Sequence, residues 1–371
     1  MFASLLGIRL LVWMGRTIPA PPPPGLLDTL GEVEVTNDAR SGDGFRLTFT
    51  VTKGLLDYDA ITAGALEPMT RVVIAAVMGV VPEVLIDGVI THQQLAPSQE
   101  PGASTLTVMG HDLRTALDLT ERNAKYENQP DFIIFNQLIA RYPQFGLVPV
   151  AMPTTSIPIM LQRTPRQAET DLAFIERMAQ RNGYVFYIEP VTVGVNTAYF
   201  GPPSRVGLPQ PALTMNMGAD SNLKSLSFSN DALAPTGVEG TFVEPFTRTA
   251  LPIPPLPSLR VPPLASSAAA PLRTRLARDA AHQGPTDAAL TALAASMNAA
   301  DPVRGQGELD GVRYGSVLRA RRLVGVRGAG FAHNGNYYVE RVTHLIRRGS
   351  YTQQFSLSRE GTGALLPVVR P

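Results

Sequence analysis

TPRQAETDLAFIERMAQRNGYVFYI, residues 164–188, is the most fully punctuated stretch of the chain. Thr164 is placed as an N-cap, Pro165 suits the first helical position, and Gln167 completes a capping box. Ala168, Leu172, Ile175 and Ala179 then make one apolar stripe with Met178 beside it, and Gly183 supplies the C-terminal cap. A strand follows at once, with Tyr184, Phe186 and Ile188 on one face and Val185 and Tyr187 on the other. Upstream, Phe132, Phe135, Leu138 and Ile139 recur at helical spacing within 131–142, and Pro143 stops that helix. Residues 116–205 therefore read as an α/β domain.

On both sides the pattern changes to β. Residues 1–115 hold the strand signals of a first β domain. Phe45, Leu47, Phe49 and Val51 alternate with Arg46, Thr48 and Thr50, and Asp43-Gly44 before them is a turn signal. Val33 and Val35, the apolar run 72–81 and the alternating run 105–109 are further strands, and 85–90 reads as strand, Asp87-Gly88 turn, strand. Residues 206–250 return to β, with Leu223, Leu226 and Phe228. A Pro- and Ala-rich linker fills 251–271, and the Ala-rich stretch 272–297, broken by Gly284-Pro285, reads as two short helices; together, 251–304 form an insertion. From 305 to 371 the chain is β again, with a hairpin signal at Asn334-Gly335. Thr91-His92 and Thr343-His344 each end a strand pattern and precede another, a faint sign of duplication. The expected fold class is α+β, mainly β.

Composition excludes several classes. The 32 basic and 31 acidic residues leave a net charge of +1, without the basic excess of a nucleic-acid binder. The absence of cysteine removes disulfides, thiolate nucleophiles and Cys-ligated metals. The apolar N-terminus, Phe2 to Trp13, reads as a first strand rather than a targeting signal, because Arg9 interrupts it and no basic leader or clear cleavage site frames it. No stretch reaches the roughly 18 uncharged apolar residues of a membrane span.

Candidate chemistry is sparse. His92, His111, His282, His333 and His344 have no metal-pair spacing among them. Gly325, Gly328 and Gly330 lie between strand patterns, whereas a phosphate loop needs a helix after it; Gly305, Gly307 and Gly311 miss the dinucleotide spacing. Glu169, Asp171 and Glu176 alternate with Arg166, Arg177 and Arg181 and read as a solvated helix face rather than paired catalytic carboxylates. Arg319, Arg321, Arg322, Arg347 and Arg348 read as charges guarding strand edges, or as a protein contact. No Gly-x-Ser-x-Gly elbow is present. No catalytic residue, cofactor-binding residue or metal ligand is assigned, and no enzyme activity is expected.

A resemblance enters through three groups of residues. The first comprises His111-Asp112-Leu113-Arg114, the helix stretch Thr164 to Arg177, and Arg181-Asn182-Gly183-Tyr184-Val185-Phe186-Tyr187. The second is Asn222 to Leu226 with Gly237-Val238-Glu239-Gly240, and the third is Gly335 to Val339, Val342-Thr343-His344, Tyr351-Thr352 and Phe355 to Arg359. Together they resemble the phage late control gene D family, which includes hub proteins of contractile tails and of extracellular injection particles, and the hub half of VgrG proteins. The likeness implies two β-barrel-like tube domains, an α/β domain between them and a helical insertion in the second barrel. It further implies a homotrimer whose six barrels match a six-fold inner tube on one face and seat a trimeric spike on the other, with baseplate wedge proteins around it. Such a protein assembles in the cytoplasm and becomes part of a particle. VgrG-type members continue into a spike; here the chain stops about a dozen residues after Arg359, so the spike is expected to be a separate polypeptide. A tail-tip cell-wall hydrolase and a monomeric carbohydrate-binding β protein are the rival readings.

Overall fold

The computed structural model describes residues 8–16, 18–52, 64, 66–79, 81–100, 102–154, 164–243, 249–253, 262–276, 292–296, 299 and 301–365. The first unit comprises β1 (Ile8–Gly15), β2 (Leu30–Asp38), β3 (Gly44–Thr50), β4 (Arg71–Met78), β5 (Pro82–Ala96) and β6 (Thr105–Asp112). They lie side by side in the order β1-β4-β5-β6-β3-β2, every neighbour antiparallel. The alternation read in 45–51 is observed: Phe45, Leu47, Phe49 and Val51 are buried, and they join Leu10, Val12, Val33, Val35, Ile74 and Val108 in one core. The Asp87-Gly88 turn is absent, because β5 runs straight through it. Asp87 is there for its carboxylate, which Arg71 grips through Nε at 2.8 Å and Nη2 at 2.7 Å. Gly88 is there for lack of a side chain, since a Cβ would sit 2.2 Å from the His111 carbonyl oxygen and 3.2 Å from the Phe45 ring.

The middle of the chain supplies α1 (Arg114–Leu117), β7 (Glu121–Lys125), α2 (Asp131–Ile139), β8 (Leu147–Ala151), β9 (Arg166–Thr170), α3 (Asp171–Asn182), β10 (Val185–Thr192) and β11 (Val195–Gly201). Strands β10-β11-β8 form one sheet and β7-β9 a ribbon. Their core is separate, built on Phe135, Phe174, Ile175, Met178 and Phe200, with Phe135 stacked on Phe200 at 4.9 Å. The helix begins six residues later than its capping signals predict. Thr170 is the N-cap, its Oγ1 accepting from the Ala173 N–H at 3.2 Å, while Gly183 closes the helix at φ +67° as expected. Residues 166–170 pair with β7 instead. Gln167 therefore caps nothing; it is fully buried, accepting from Tyr126 Oη at 2.9 Å and donating to Asp171 at 2.6 Å. The buried stripe is Phe174, Ile175, Met178 and Ala179, and Leu172 is only partly buried.

Next come β12 (Gln210–Thr214) and β13 (Leu223–Asn230). The chain then leaves on an excursion through β14 (Thr236–Val243), β15 (Ala250–Ile253), β16 (Ala265–Ala268) and β17 (Arg273–Leu276), with β14 central between β15 and β17. Of the two helices expected in 272–297, the first is replaced by β17, and residues 292–296 are helical; 277–291 lie outside the described residues. The chain returns with β18 (Val303–Asp310), α4 (Gly311–Tyr314), β19 (Leu323–Arg327), β20 (Gly335–Arg347), β21 (Ser350–Arg359) and β22 (Gly361–Ala364). A third core gathers Leu213, Leu223, Leu309, Val324, Val339, Phe355 and Leu357.

Numbered in chain order, β12, β13, β18, β19, β20 and β21 are the six strands of the second unit. Their sheet order, β12-β19-β20-β21-β18-β13, repeats that of the first unit strand for strand, differing only in that β12 runs parallel to β19. Irregularities coincide as well. The β2·β3 register slips between Leu30 and Glu32, and β13·β18 slips between Leu223 and Ser225. The β5·β6 register slips between Ile90 and His92, and β20·β21 between Val339 and Arg341. Met69 and Arg321 both take positive φ, +64° and +66°, and donate to Ile90 O and Val339 O respectively, each at 2.8 Å. Bulges and positive-φ residues are placed features of a backbone, so their coincidence fixes a residue-by-residue equivalence. Under it Ile90 matches Val339 and His92 matches Arg341. The Thr-His pairs read as an echo are thus three positions out of register; the duplication lies in the backbone, not in those residues. The fold is α+β and mainly β, and among the described residues no helix is long and apolar enough to cross a membrane.

Candidate functional site

The strongest concentration of buried charge lies where the units meet. The two β units share one sheet through β2 and β20, with Glu32 to Asp38 opposite Arg347 to Arg341. Around that seam stand arginines read above as strand-edge guards, and the structure corrects that reading for several of them. Arg321 is 6% exposed. Its guanidinium donates to both oxygens of Asp43, at 2.5 and 3.1 Å, and to the Asp38 carbonyl at 2.5 Å, and lies 4.6 Å over the Tyr187 ring of β10. Arg319 donates to the Val84 carbonyl at 2.5 Å and to Glu83 at 3.1 Å. Arg322 pairs with Glu189 at 2.8 Å. One short run, 319–322, therefore ties the second unit to the first and to the middle unit. Arg347, exposed and paired with Glu32 at 2.9 Å, does sit along the seam.

The anionic side of this joint is also organised. Asp43 accepts from the Asp38 N–H at 2.9 Å and from Asn37 Nδ2 at 3.1 Å, and its own N–H donates to Asp112 at 3.0 Å. Asp112 in turn holds Arg114 Nε at 3.0 Å. Burial pushes the Asp112 carboxyl above the usual carboxylate range; Arg114 opposes that push and the neighbouring Asp43 charge adds to it. Burial alone would lower the Arg321 pKa, but the Asp43 carboxylate holds it above the ordinary arginine value. A second joint, between the first and middle units, is the Arg71–Asp87 pair: Arg71 also donates to the Phe145 carbonyl at 3.1 Å, and Asn196 Nδ2 reaches Asp87 at 2.9 Å. A third anchors the end of the excursion, with Arg205 between Asp301 at 2.9 Å and Glu360 at 2.8 Å. Buried ion pairs add little net stability but are costly to break singly. Here they fix how the units are placed against one another.

The other candidates fall apart or turn inward. His92 and His111 are exposed, His333 stacks on Phe228 at 4.5 Å, and His344 is buried against Tyr351 Oη at 2.9 Å; His282 lies outside the described residues. Among the described residues no group of three or more His, Cys, Asp or Glu side chains is placed to hold a metal. Glu169 pairs with Arg177 at 2.8 Å, and Glu176 is exposed with Arg114 at 3.6 Å. Asp171, read as part of a solvated face, is fully buried; it accepts from Gln167, from Tyr142 Oη at 2.8 Å and from Arg141 at 3.0 Å. Burial and the hydrogen bond to Asp171 push the Tyr142 phenol up to about 12. These three carboxylates face different partners and do not converge on a common space. Gly325 lies in β19, and Gly328 and Gly330 lie in the loop from there into β20.

Solved structures share this architecture over nearly the whole chain. A tail protein from Neisseria meningitidis MC58 aligns over 95% of this chain and 97% of its own, at TM-score 0.64 and 15% identity. The chain shares the fold of that tail protein. The 43 kDa tail protein of prophage MuSo2 from Shewanella oneidensis aligns over 95% and 98%, at TM-score 0.64 and 12% identity. An E. coli component of the type VI secretion system, described as structurally similar to the T4 bacteriophage tail proteins gp27 and gp5, aligns over 92% and 77% at TM-score 0.55 and 13% identity. No protein-family model and no curated protein matches the sequence. These neighbours accord with the resemblance read from residues 111–187 and 222–359, and the tail-protein fold is shared at identities where sequence comparison is silent.

Proposed function

We propose that this chain is the structural baseplate hub of a phage-tail-like contractile injection system, a trimeric adaptor between a six-fold inner tube and a trimeric spike. The observation that carries the reading is the repeated strand order, with its coincident bulges, in two units fused into one sheet. A closed trimer of single units offers three equivalent surfaces. A trimer of duplicated units offers six, which is what a six-fold partner requires. The divisions that follow are 1–115 and 116–205 as first β and middle α/β domains, and 206–230 with 303–371 as the second β domain around an excursion at 231–302. Its partners would be two further copies, the inner tube protein, the spike protein and the baseplate wedge proteins, with assembly in the cytoplasm before incorporation into the particle.

The tail-protein fold and the joints built from Arg321, Arg71 and Arg205 support a role in holding surfaces in place. The hydrolase reading gains nothing from Glu169, Asp171 and Glu176, which point to separate partners. Mixing the purified chain with inner tube and spike proteins of such a system tests the proposal by native mass spectrometry. Complexes with three copies of this chain are expected; hydrolysis of peptidoglycan by the chain alone, or binding as a monomer, would overturn it.

A further inference from the structure

The duplication predicts which two edges meet between copies. Within the chain, the first unit joins the second by laying β2 against the part of β20 beyond its bulge, Asp38 opposite Arg341 and Val35 opposite His344. The counterpart of β2 is β13, and the counterpart of β20 is β5. Among the described residues, nothing pairs with the outer edge of β13, or with the side of β5 beyond Ile90 that faces away from β6. We infer that in the assembled hub β13 of one copy pairs antiparallel with the distal half of β5 of the next, Asp231 opposite His92, Ser229 opposite Gln94 and Phe228 opposite Leu95. This rests on the ring reading above and adds to it the surface and the register.

The side chains agree with that register. Val33 and Val35 of β2 face the core, and so do their counterparts Leu226 and Phe228, packed against the core of the second unit. Leu95, which would meet Phe228, packs against the core of the first unit. Apolar side chains thus meet on the inner face. On the outer face exposed Ser229 meets exposed Gln94, at the place where Thr36 Oγ1 lies 3.1 Å from Thr343 Oγ1 within the chain. Asp231 is built like its counterpart Asp38: each uses Oδ1 to accept a backbone N–H two residues on, Leu233 at 2.9 Å and Arg40 at 2.7 Å. In Asp38 the other oxygen holds Arg341 at 2.5 Å, and the residue matching Arg341 is His92. An open strand edge is ordinarily protected by proline, bulges or inward charges. The β13 edge, from Ser225 to Asn230, carries serine and asparagine and no proline. Because each copy carries one edge of each kind, the contact is head-to-tail, the type that builds a ring when the rotation between successive copies closes.

The natural chain has no cysteine, so cross-links can be placed freely. Under mild oxidation Ser229→Cys/Gln94→Cys should give covalent dimer and trimer bands on a non-reducing gel, since opposed strand positions meet disulfide geometry. Ser229→Cys/Gln93→Cys, with side chains on opposite faces, should stay monomeric on that gel. Asp231→Arg should weaken self-association at least tenfold, and adding His92→Asp should restore it. If native mass spectrometry shows a trimer while Ser229→Cys/Gln94→Cys gives no cross-link, or if Asp231→Arg assembles as well as wild type, the edge pairing is wrong and the hub reading stands. If no three-fold species forms even with tube and spike proteins present, both fall.

Discussion

Acid should loosen the seam between the two β units through His344. Its ring is fully buried on β20, opposite Val35 of β2; Nδ1 lies 2.9 Å from Tyr351 Oη and Nε2 makes no hydrogen bond. Burial, aided by the nearby Arg319 cation, lowers its pKa from the ordinary 6.5 to about 3. The folded state therefore favours the neutral ring, while the unfolded chain takes up a proton near pH 6.5. The stability this contributes is complete above about pH 6.5 and is lost as pH falls toward 3. Each tenfold in proton affinity corresponds to about 1.4 kcal/mol, so the full loss is on the order of 5 kcal/mol, and the interval from pH 7 to pH 5 accounts for about 2 kcal/mol. His344→Gln keeps a partner for Tyr351 and cannot titrate. Urea unfolding at pH 7 and pH 5 should show the wild type losing about 2 kcal/mol more than the variant. Equal losses in the two proteins would refute the buried, neutral assignment.

Breaking the Arg321 joint from one side should be costly: Arg321→Met strands the Asp43 carboxylate and should lower stability by roughly 3–5 kcal/mol, with Asp43→Asn added in the same chain recovering part of it. Thermal melts of Arg321→Met, Asp43→Asn and the double variant check this, and additive losses would show that the pair does not act together. Phe174→Ala, at a fully buried ring, should cost about 3–5 kcal/mol, whereas Leu172→Ala on the same helix should cost clearly less; equal losses would mean that the buried stripe is misassigned. Gly88→Ala should destabilise by roughly 1–3 kcal/mol because its Cβ collides with the His111 carbonyl, and a neutral result by urea titration would place β6 farther away.

The strands of the first unit were legible because one face is buried and the other is not, so 45–51 advertises its period directly. Asp87-Gly88 misled for a reason that local composition does not carry: the glycine answers to the Phe45 ring and the aspartate to Arg71, both distant in sequence. The capping signals at Thr164 were overridden by pairing of 166–170 with β7, which turned Gln167 into a core hydrogen-bonding group. Asp171 looked like part of a charged helix face because its partners Tyr142 and Arg141 lie on another segment. The duplication was almost invisible in the residues. Equivalent positions hold Met69 and Arg321, His92 and Arg341, Val35 and Phe228, so it is the strand order, the backbone bulges and a repeated positive φ that preserve it. The seam arginines were seen as a cluster, but their roles depend on Asp43 and Glu189, which pair with them only once the chain has folded.

The central claim is the six-fold surface made from three chains, and imaging the hub in the intact particle tests it most directly. A cryo-electron microscopy reconstruction of the baseplate should show three copies of this chain in a ring, with first and second β units alternating around six similar positions beneath the last tube hexamer. A hub containing one copy or six, or a ring in which the two units occupy unrelated positions, would contradict it.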